Sequence, residues 1–304
     1  MTTIITKNSS TAGAIPTAGV LTQGELSVNV TDKKLYTKNA SGAVVGLGGD
    51  LTINNETAAD TVTLGLNAGI AINSSSTFNT FIGSSAGKTM TGAGTGHVAL
   101  GYRAMELSTL GTGHTAIGNY ALRSISGTNF ATAVGNSAGQ NCSTGGLSST
   151  FIGILAGNAV TTGTQNTCIG YSSNPTSSTA SYQFTLGHTD INTLRCNVTS
   201  ITSLSDARDK TAIVDTPYGL DFINTLQPRQ FQWATRDGNI KDGRVEQGFI
   251  AQELLEAAGD NKDKLNLVLE DNPNKLEASA GNLVPILVKA IQELTARVAE
   301  LENN

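Results

Sequence analysis

The chain has 304 residues, a net charge of −5 and 34 glycines, and only 5% of its residues are aromatic and 14% charged. Globular domains are typically about 25% charged, so this composition argues against a helical enzyme and indicates short strands joined by tight turns. The acidic balance gives no support to a nucleic-acid partner. The sequence has no apolar run of about 18 residues, so no membrane insertion is predicted. Its first residues, MTTIITKNSSTAGAIP, do not have the pattern of a signal peptide.

Residues 1–50 predict a small β unit. The stretch GELSVNVTDKKLYTKNASGAVVGL reads as two or three alternating strands, with turns at Thr31-Asp32 and Ser41-Gly42. The segment resembles one common near the N-termini of phage tail-fibre proteins (G-E-L-x-V-N…D-x-K-L-Y-x-K). The resemblance implies that this end faces the virion and contacts baseplate or tail proteins. The alternative is a generic β-meander without an attachment role.

Residues 51–200 contain eight units in which an aliphatic residue precedes a glycine. The glycines recur every 17 or 18 residues, at Gly65, Gly83, Gly101, Gly118, Gly135, Gly153, Gly170 and Gly187. Three residues after the glycine stands an alanine in the first six units, and Ser173 and Asp190 in the last two. A unit of this length fits about two short strands and two turns, and predicts one coil of a β-solenoid with the glycine at a corner. A disordered low-complexity tract is the alternative.

The strand before each glycine indicates that this shaft associates with copies of itself. The residue directly before the glycine is always Leu, Ile or Val, and the residue before that, on the opposite face, is often apolar too, as in Phe81 and Phe151. One face fills the coil and the other needs a partner surface. We expect Phe81 and Phe151 to be buried. The repeat resembles trimeric autotransporter adhesin heads and phage tail-fibre shafts, which implies a trimeric β-solenoid or β-roll.

Residues 201–304 are different in composition, since 28 of the 43 charged residues follow Ser205. GLDFINTL and AQELLEAA have the spacing of amphipathic helices, so this region is expected to be α+β. The last helix has an a/d heptad pattern that predicts a coiled coil, the alternative being a helix packed on its own domain. The positions of this terminal seam are Val284, Leu287, Ile291, Leu294, Val298 and Leu301.

The motifs SDARDKTAI, GLDFINTLQPRQFQW and GFIAQELLEAA, in that order before the terminal helix, resemble the C-terminal intramolecular chaperone of endosialidase-type phage tailspikes and fibres, a self-cleaving serine peptidase family. The resemblance implies that this region aligns three chains and then cuts itself off at the Leu204–Ser205 bond. It implies a catalytic dyad of Ser205 and Lys210, supported by Asp206 and Arg208. Asp209 stands where the family usually has an apolar residue, and a carboxylate there favours a charged lysine and slower cleavage. From spacing alone, Ser205 is equally a helix N-cap or turn residue.

Neither a metal nor a cofactor is expected. Cys142, Cys168 and Cys196 are widely spaced and form no CxxC pair, so we expect small buried thiols in a chain made in the reducing host cytoplasm; metal or redox chemistry is the alternative.

The function predicted from these features is a trimeric phage tail fibre in the virion that attaches to a host cell-surface receptor, with a carbohydrate as the expected receptor class. Any enzymatic activity is limited to a single self-cleavage per chain. One alternative is a polysaccharide-degrading tailspike, but glycoside cleavage usually needs two carboxylates, and Glu106 is the one acid between Gly65 and Thr189. The other is a bacterial trimeric adhesin, which requires export and an anchor.

Overall fold

The computed structural model describes residues 7–31, 34–47, 51–52, 60–92, 94–144, 148–197, 201–236, 238 and 241–303. The chain forms, in order, a four-stranded sheet, a coiled β-shaft and a smaller region of short strands and helices. The predicted fold class, mainly β with a solenoid shaft and a C-terminal helix, is confirmed.

The first sheet is formed by neighbouring segments of the N-terminal region. Its strands are β1 (Lys7–Ser9), β2 (Leu26–Asn29), β3 (Lys34–Lys38) and β4 (Val44–Leu47), in that spatial order. Strand β1 pairs with β2 in parallel, and the other pairs are antiparallel. The predicted turn at Ser41-Gly42 is confirmed, since Gly42 has a φ of +82° and donates its N–H to the Asn39 carbonyl. The other predicted turn, at Thr31-Asp32, lies partly outside the described residues.

The shaft is a stack of coils, each contributing one three-residue rung to a continuous parallel sheet. Its strands are β5 (Leu51–Thr52), β6 (Val62–Leu64), β7 (Thr80–Ile82), β8 (Val98–Leu100), β9 (Gly111–Thr112), β10 (Thr115–Ile117), β11 (Thr128–Asn129), β12 (Thr132–Val134), β13 (Thr150–Ile152), β14 (Thr167–Ile169) and β15 (Phe184–Leu186). All of them except β9 and β11 belong to the sheet, and only β5 pairs antiparallel. Equivalent repeat positions pair directly, as Ala116 does with Ala99 and Ala133.

Most coils have one strand, not the two predicted. Among the described residues only β9 and β11 form a second parallel pair, and the rest of each coil consists of tight turns. These turns use left-handed backbone at non-glycine residues such as Ser85, Tyr120 and Ser137, which the apolar pattern of the sequence does not reveal.

The corner glycines are required by the stacking of the coils. Gly118 has a φ of +131°, and a Cβ added to it would lie 2.4 Å from the carbonyl oxygen of Gly135 in the next coil. Gly135 meets Gly153 in the same way, also at 2.4 Å. The predicted role of the repeated glycine is therefore confirmed: backbone approaches backbone too closely for any side chain.

The interior of the shaft is filled by complementary side-chain volumes. Phe81 and Phe151 are fully buried, as predicted, and their rings lie against glycines four residues past a corner, Gly87 and Gly157. In the coils with Ala99 and Ala116, that position four residues past the corner is filled by the larger Met105 and Leu122. The coil with Ala133 has Gly139 there, and the space is filled by Phe151 and Leu122 of the neighbouring coils. The interior is therefore packed partly within a coil and partly between coils.

Two of the cysteines belong to this core and have no reactive environment. Burial raises the pKa of Cys142 to about 12 and that of Cys168 to about 11, so both thiols stay protonated at neutral pH. This agrees with the expectation of buried thiols, whereas Cys196 is exposed.

A ladder of buried polar side chains runs along the shaft, four residues before most of the corners, and is interrupted at Ala131. The His97 N–H donates to Asn79 Oδ1 (2.9 Å), the His114 N–H donates to His97 Nδ1 (3.1 Å), and the two imidazole rings stack with centroids 5.0 Å apart. Asn166 takes the same role further along, accepting the N–H of Gln183 (3.0 Å). Each side chain thus satisfies a backbone donor that would otherwise be buried without a partner.

The histidine in this ladder makes the shaft sensitive to acid. Burial, and after it the neighbouring His114, lowers the pKa of His97 to about 4, although its contact with the Gly111 carbonyl opposes the shift. In the unfolded chain a histidine titrates near 6.5. From about pH 6.5 down to about pH 4 the unfolded chain therefore binds a proton that the folded shaft does not, and stability falls as the pH falls.

We predict that acidification from about pH 7 to about pH 4.5 lowers the free energy of unfolding through His97 by about 2–3 kcal/mol per chain. His97→Asn keeps the acceptor, as Asn79 and Asn166 do in their coils, and removes the titration. Denaturant unfolding at both pH values should show a smaller loss for this variant than for the natural chain. An equal loss in both proteins would show that His97 does not carry the effect.

The C-terminal region contains short strands and four helices. They are α1 (Leu220–Ile223), β16 (Arg229–Gln232), β17 (Val245–Gly248), α2 (Ala251–Ala258), α3 (Lys262–Leu265), β18 (Val268–Leu269), β19 (Glu277–Ala278) and α4 (Val284–Glu302). Both predicted helical motifs form helices, and Pro285 lies in the first turn of α4, where it costs no hydrogen bond. Leu254, Leu267 and Ile286 form the centre of a separate core, against which Phe222 and Tyr218 pack.

Candidate functional site

The predicted dyad residues lie within hydrogen-bond distance of each other. Ser205 lies in a segment without regular secondary structure, and a single turn of 3-10 helix, Ala207–Asp209, follows it after Asp206. This turn brings Lys210 back, so that its Nζ donates to Ser205 Oγ at 2.5 Å. The five-residue spacing therefore corresponds to a contact between the two side chains.

Asp206 and Arg208 stabilise that turn. Asp206 is its N-cap and accepts the Arg208 N–H (2.9 Å), and the Arg208 guanidinium binds both oxygens of the same carboxylate, at distances from 2.6 to 3.2 Å. These bonds lower the pKa of Asp206 and raise that of Arg208, which keeps both charged. The two supporting residues predicted from the sequence thus stabilise the turn between Ser205 and Lys210. Their side chains are hydrogen-bonded to each other.

The peptide bond before Ser205 is accessible. All residues from 201 to 215 are exposed, including Leu204, Ser205 and Lys210. A lysine acts as a base when it is desolvated and neutral. In the single chain the pair has a hydrogen bond but not the dry environment, so a cleavage-competent site needs additional burial.

Residues 205–262 match the protein family described as chaperone of endosialidase. The match begins at Ser205 and contains Asp206, Arg208 and Lys210. The chain carries a chaperone-of-endosialidase domain. Helix α4 lies after the matched residues. We call the region from Ser205 onward the chaperone region.

One curated relative of the chain is a phage tail-fibre protein. The chain is 44% identical over 52 residues to the Long tail fiber protein Gp37 of Enterobacteria phage T2, a match that covers 16% of this chain and 4% of the relative. No solved structure matches the chain. The predicted resemblance to a phage tail fibre with a C-terminal chaperone is confirmed, although the chain matches only a small part of that relative's length.

The chaperone region is tied together by contacts between its first and last helices. Glu293 of α4 accepts the N–H of Leu220 at the start of α1 (2.7 Å). A Cβ on Gly219 would lie 2.3 Å from the same carboxylate oxygen, so the glycine allows this approach. Because the carboxylate caps the positive end of α1, the terminal helix holds the segment that follows the dyad.

Helix α4 has one apolar face on its own domain and a second one exposed. Ile286 and Ala290 are buried and face the core of the chaperone region. All six residues of the terminal seam are exposed, from 42% for Leu287 to 76% for Leu301. The two interpretations of this helix are therefore compatible, since packing on its own domain uses different residues from the seam.

The shaft has a corresponding exposed apolar stripe, the outer column. It consists of the residue directly before each corner glycine: Leu64, Ile82, Leu100, Ile117, Val134, Ile152, Ile169 and Leu186. In the single chain none of them is buried, and Leu186 is 48% exposed. The prediction that one strand face fills the coil is confirmed, and the prediction that the other face is buried against partner chains stays a prediction.

The one acidic side chain in the middle of the shaft is engaged in structure. Glu106 is buried and forms ion pairs with Arg123 (2.7 Å) and Arg103 (3.3 Å). A buried carboxylate bound by two guanidinium groups is not free to contact a glycosidic bond, and glycoside cleavage usually needs a pair of carboxylates. The arginines lie over the rings of Tyr102 and Tyr120, so the cluster connects two coils.

The chaperone region also contacts the last coils of the shaft. Gln183 Nε2 donates to Asp271 Oδ2 (2.7 Å), and Asn272 Nδ2 donates to the Thr176 carbonyl (2.8 Å). Asp271 and Asn272 lie in the loop between β18 and β19. Sequence reasoning did not find this contact, because a polar loop gives no signal about the distant residue it meets.

Within the described part of the chain, no group of three or more His, Cys, Asp or Glu side chains is arranged to hold a metal ion. None of the helices in that part is long and apolar enough to cross a membrane.

Proposed function

We propose that the chain is a homotrimeric phage tail-fibre protein that binds a host surface receptor. In this proposal residues 1–50 face the virion, residues 51–200 form the shaft and receptor-binding region, and residues 201–304 act as an intramolecular chaperone for trimer assembly in the host cytoplasm. The observation that carries the proposal is that shaft and chaperone region each expose a continuous apolar stripe, the outer column and the terminal seam.

Trimerisation gives both stripes a partner. Exposed contiguous apolar surface of this kind marks interaction sites. Three shafts that meet along the outer column bury aliphatic side chains in every coil, and three copies of α4 bury the seam. The match to a tail-fibre protein and to a chaperone family supports three copies; the Val/Ile and Leu pattern of the seam does not by itself select that number.

The chaperone has a physical task in this assembly. A solenoid of non-local parallel rungs folds slowly, and its apolar stripe is exposed until the partners arrive. The chaperone region has its own core and a helix with a free seam, so it can associate first and bring three chains into the same register. It contacts Gln183 and Thr176 in the last coils of the shaft, which supports the proposal that the three shafts begin to assemble at that end.

We predict that a chain ending at residue 204 fails to form a soluble trimer. Without the chaperone region the outer columns are not aligned before they meet, and the shaft should aggregate. Size-exclusion chromatography with light scattering of the truncated and full-length chains measures this outcome. A soluble, heat-resistant trimer from the truncated chain would contradict the chaperone role.

We predict that Ile117→Asp combined with Ile152→Asp weakens the trimer, because it places unpaired carboxylates in the proposed interface of all three chains. The dissociation should increase by more than about tenfold, since one buried unpaired charge costs several kcal/mol. Thr144→Asp, at an exposed turn outside the outer column, is the matched control. Analytical ultracentrifugation showing the same trimer for both variants would exclude the outer column as interface.

Self-cleavage in this proposal is a single acyl transfer. Ser205 Oγ attacks the carbonyl carbon of Leu204 while its proton passes to neutral Lys210 Nζ. The C–N bond to Ser205 breaks, the Ser205 nitrogen takes up a proton, and an ester joins Leu204 to Oγ until water hydrolyses it. The fold holds nucleophile and peptide bond in one chain, so the entropic cost of bringing them together is already met. Burial of Lys210 on trimer assembly would supply the neutral base and couple cleavage to folding.

We predict that Ser205→Ala and Lys210→Ala each give a full-length trimer, because assembly does not need the chemistry. Ser203→Ala, an exposed serine two residues before the proposed nucleophile, should be cut like the natural chain. Asp209→Leu should be cut faster, because it gives the position before Lys210 the apolar residue that the family usually has there. Intact-mass measurement reports each result; a natural trimer that stays full-length, or a cut in Ser205→Ala, would contradict the dyad.

A further inference from the structure

A column of outward-facing residues lies five positions before the corner glycines. Its backbone is left-handed in every coil, with φ from +51° to +69°. The column consists of Asp60, Phe78, Gly96, Gly113, Phe130, Ser148, Gln165 and Tyr182. Three of these are aromatic and exposed: Phe78 (63%), Phe130 (61%) and Tyr182 (75%). We call these three residues the aromatic row.

Aromatic residues are poorly suited to this backbone. A side chain with a Cβ resists the left-handed region, which glycine adopts freely and asparagine or aspartate tolerates, whereas a bulky residue there is an outlier. Gly96 and Gly113 show that the coils accept glycine at the same place. The three rings are more than half exposed, so burial within their own chain offsets the strain only in part. Left-handed backbone belongs to the turns of every coil, as at Tyr120, so what distinguishes the row is the exposure of its rings.

The row has a regular geometry along the shaft. Phe78, Phe130 and Tyr182 are each three coils apart, and parallel rungs stack about 4.8 Å apart, so neighbouring rings stand about 14 Å apart. The positions between them carry small or polar residues, Gly96 and Gly113 in the first interval and Ser148 and Gln165 in the second. The three rings therefore form separate platforms with polar or open surface between them.

A column of hydroxyl groups lies beside the row. Two residues further along the chain, five of the eight rungs begin with Thr80, Thr115, Thr132, Thr150 and Thr167, and the other three begin with Val62, Val98 and Phe184. Asp60, at one end, is the single charged residue of the column that contains the row. Flat apolar rings with neighbouring hydroxyls and little charge match the surface of a neutral sugar chain, which has apolar ring faces and hydroxyl edges.

We propose that the aromatic row binds a linear neutral polysaccharide that lies along the shaft. Sugar rings stack on Phe78, Phe130 and Tyr182, and the threonines and Gln165 hydrogen-bond to hydroxyl groups between them. This inference rests on the proposed receptor-binding function and names its residues and ligand class. The trimer presents three such rows, so a cell surface with many chains is bound with avidity.

A second copy of the chain is a less suitable occupant of the row. The outer column supplies an aliphatic residue in every coil, as a continuous subunit interface requires. It lies at the end of each rung, four residues further along the chain than the column that contains the row, and in five coils a threonine at the start of the rung stands between them. Rings that occur only in every third coil leave gaps that a rigid partner shaft would not fill.

The test combines Phe78→Gly, Phe130→Gly and Tyr182→Gly in the full-length chain, which introduces the residue found at Gly96 and Gly113. Ser148→Gly, at the same left-handed position without an aromatic ring and without an assigned ligand contact, is the matched control. Both proteins are probed on an array of purified neutral and acidic bacterial polysaccharides, and oligosaccharides of increasing length from the polysaccharide bound are then titrated. We expect the natural chain to bind a neutral linear polysaccharide and the triple variant to lose about tenfold in affinity for each ring. Affinity should rise stepwise once an oligosaccharide is long enough to span two rings.

The trimer and its thermal stability should be retained in the triple variant, because glycine relieves the backbone strain. Dissociation of the trimer would overturn the inference and make the row a subunit contact. Equal binding by natural and triple-variant chains, or binding to acidic polysaccharides alone, would also overturn it. Binding to a panel of bacterial cells separates the two proposals: cells bound equally by both proteins leave receptor binding intact and remove the row. If the natural chain binds neither cells nor polysaccharides, both proposals fail.

Discussion

The stacking of backbone on backbone at the glycine corners is the constraint on which the shaft depends. At Gly118 and Gly135 the next coil is so close that only a hydrogen atom fits, and this contact fixes the repeat at 17 or 18 residues. Once the register is fixed, every repeat position becomes a column that runs along the shaft. The inside and outside columns then have separate tasks, which a sequence can meet one position at a time.

The columns explain why so little charge is used in the shaft. Inside, small and large side chains pack within and between coils, and the ladder of His97, His114 and Asn166 binds backbone donors without a formal charge at neutral pH. Outside, an aliphatic column leaves apolar surface for partner chains. Solubility before assembly must come from elsewhere in the chain, and the chaperone region after Ser205 carries most of the charged residues.

Helix α4 joins two features of the chaperone region in one structural unit. It carries an exposed apolar seam, a buried face for its own core and Glu293, which caps the helix that follows the Ser205–Lys210 turn. In the proposed trimer, association through the seam acts on a helix that is directly bonded to the segment after the dyad. The proposed base, which needs burial, then lies where burial depends on the arrival of other chains.

The sequence by itself determined the repeat, the corner glycines, the buried Phe81 and Phe151, and the helix that begins at Val284, because each depends on a local period or on backbone that only glycine adopts. A family resemblance also identified Ser205 and Lys210, which are five residues apart, as the candidate dyad. Only the tertiary structure decided that each coil has mainly one strand, that Glu106 is held by two arginines, and that the loop at Asp271 meets the end of the shaft. The residues of the aromatic row occupy equivalent repeat positions in the sequence, but the sequence did not show that they are exposed or that their backbone is left-handed. Both properties depend on the stacking of neighbouring coils, 17 or 18 residues away.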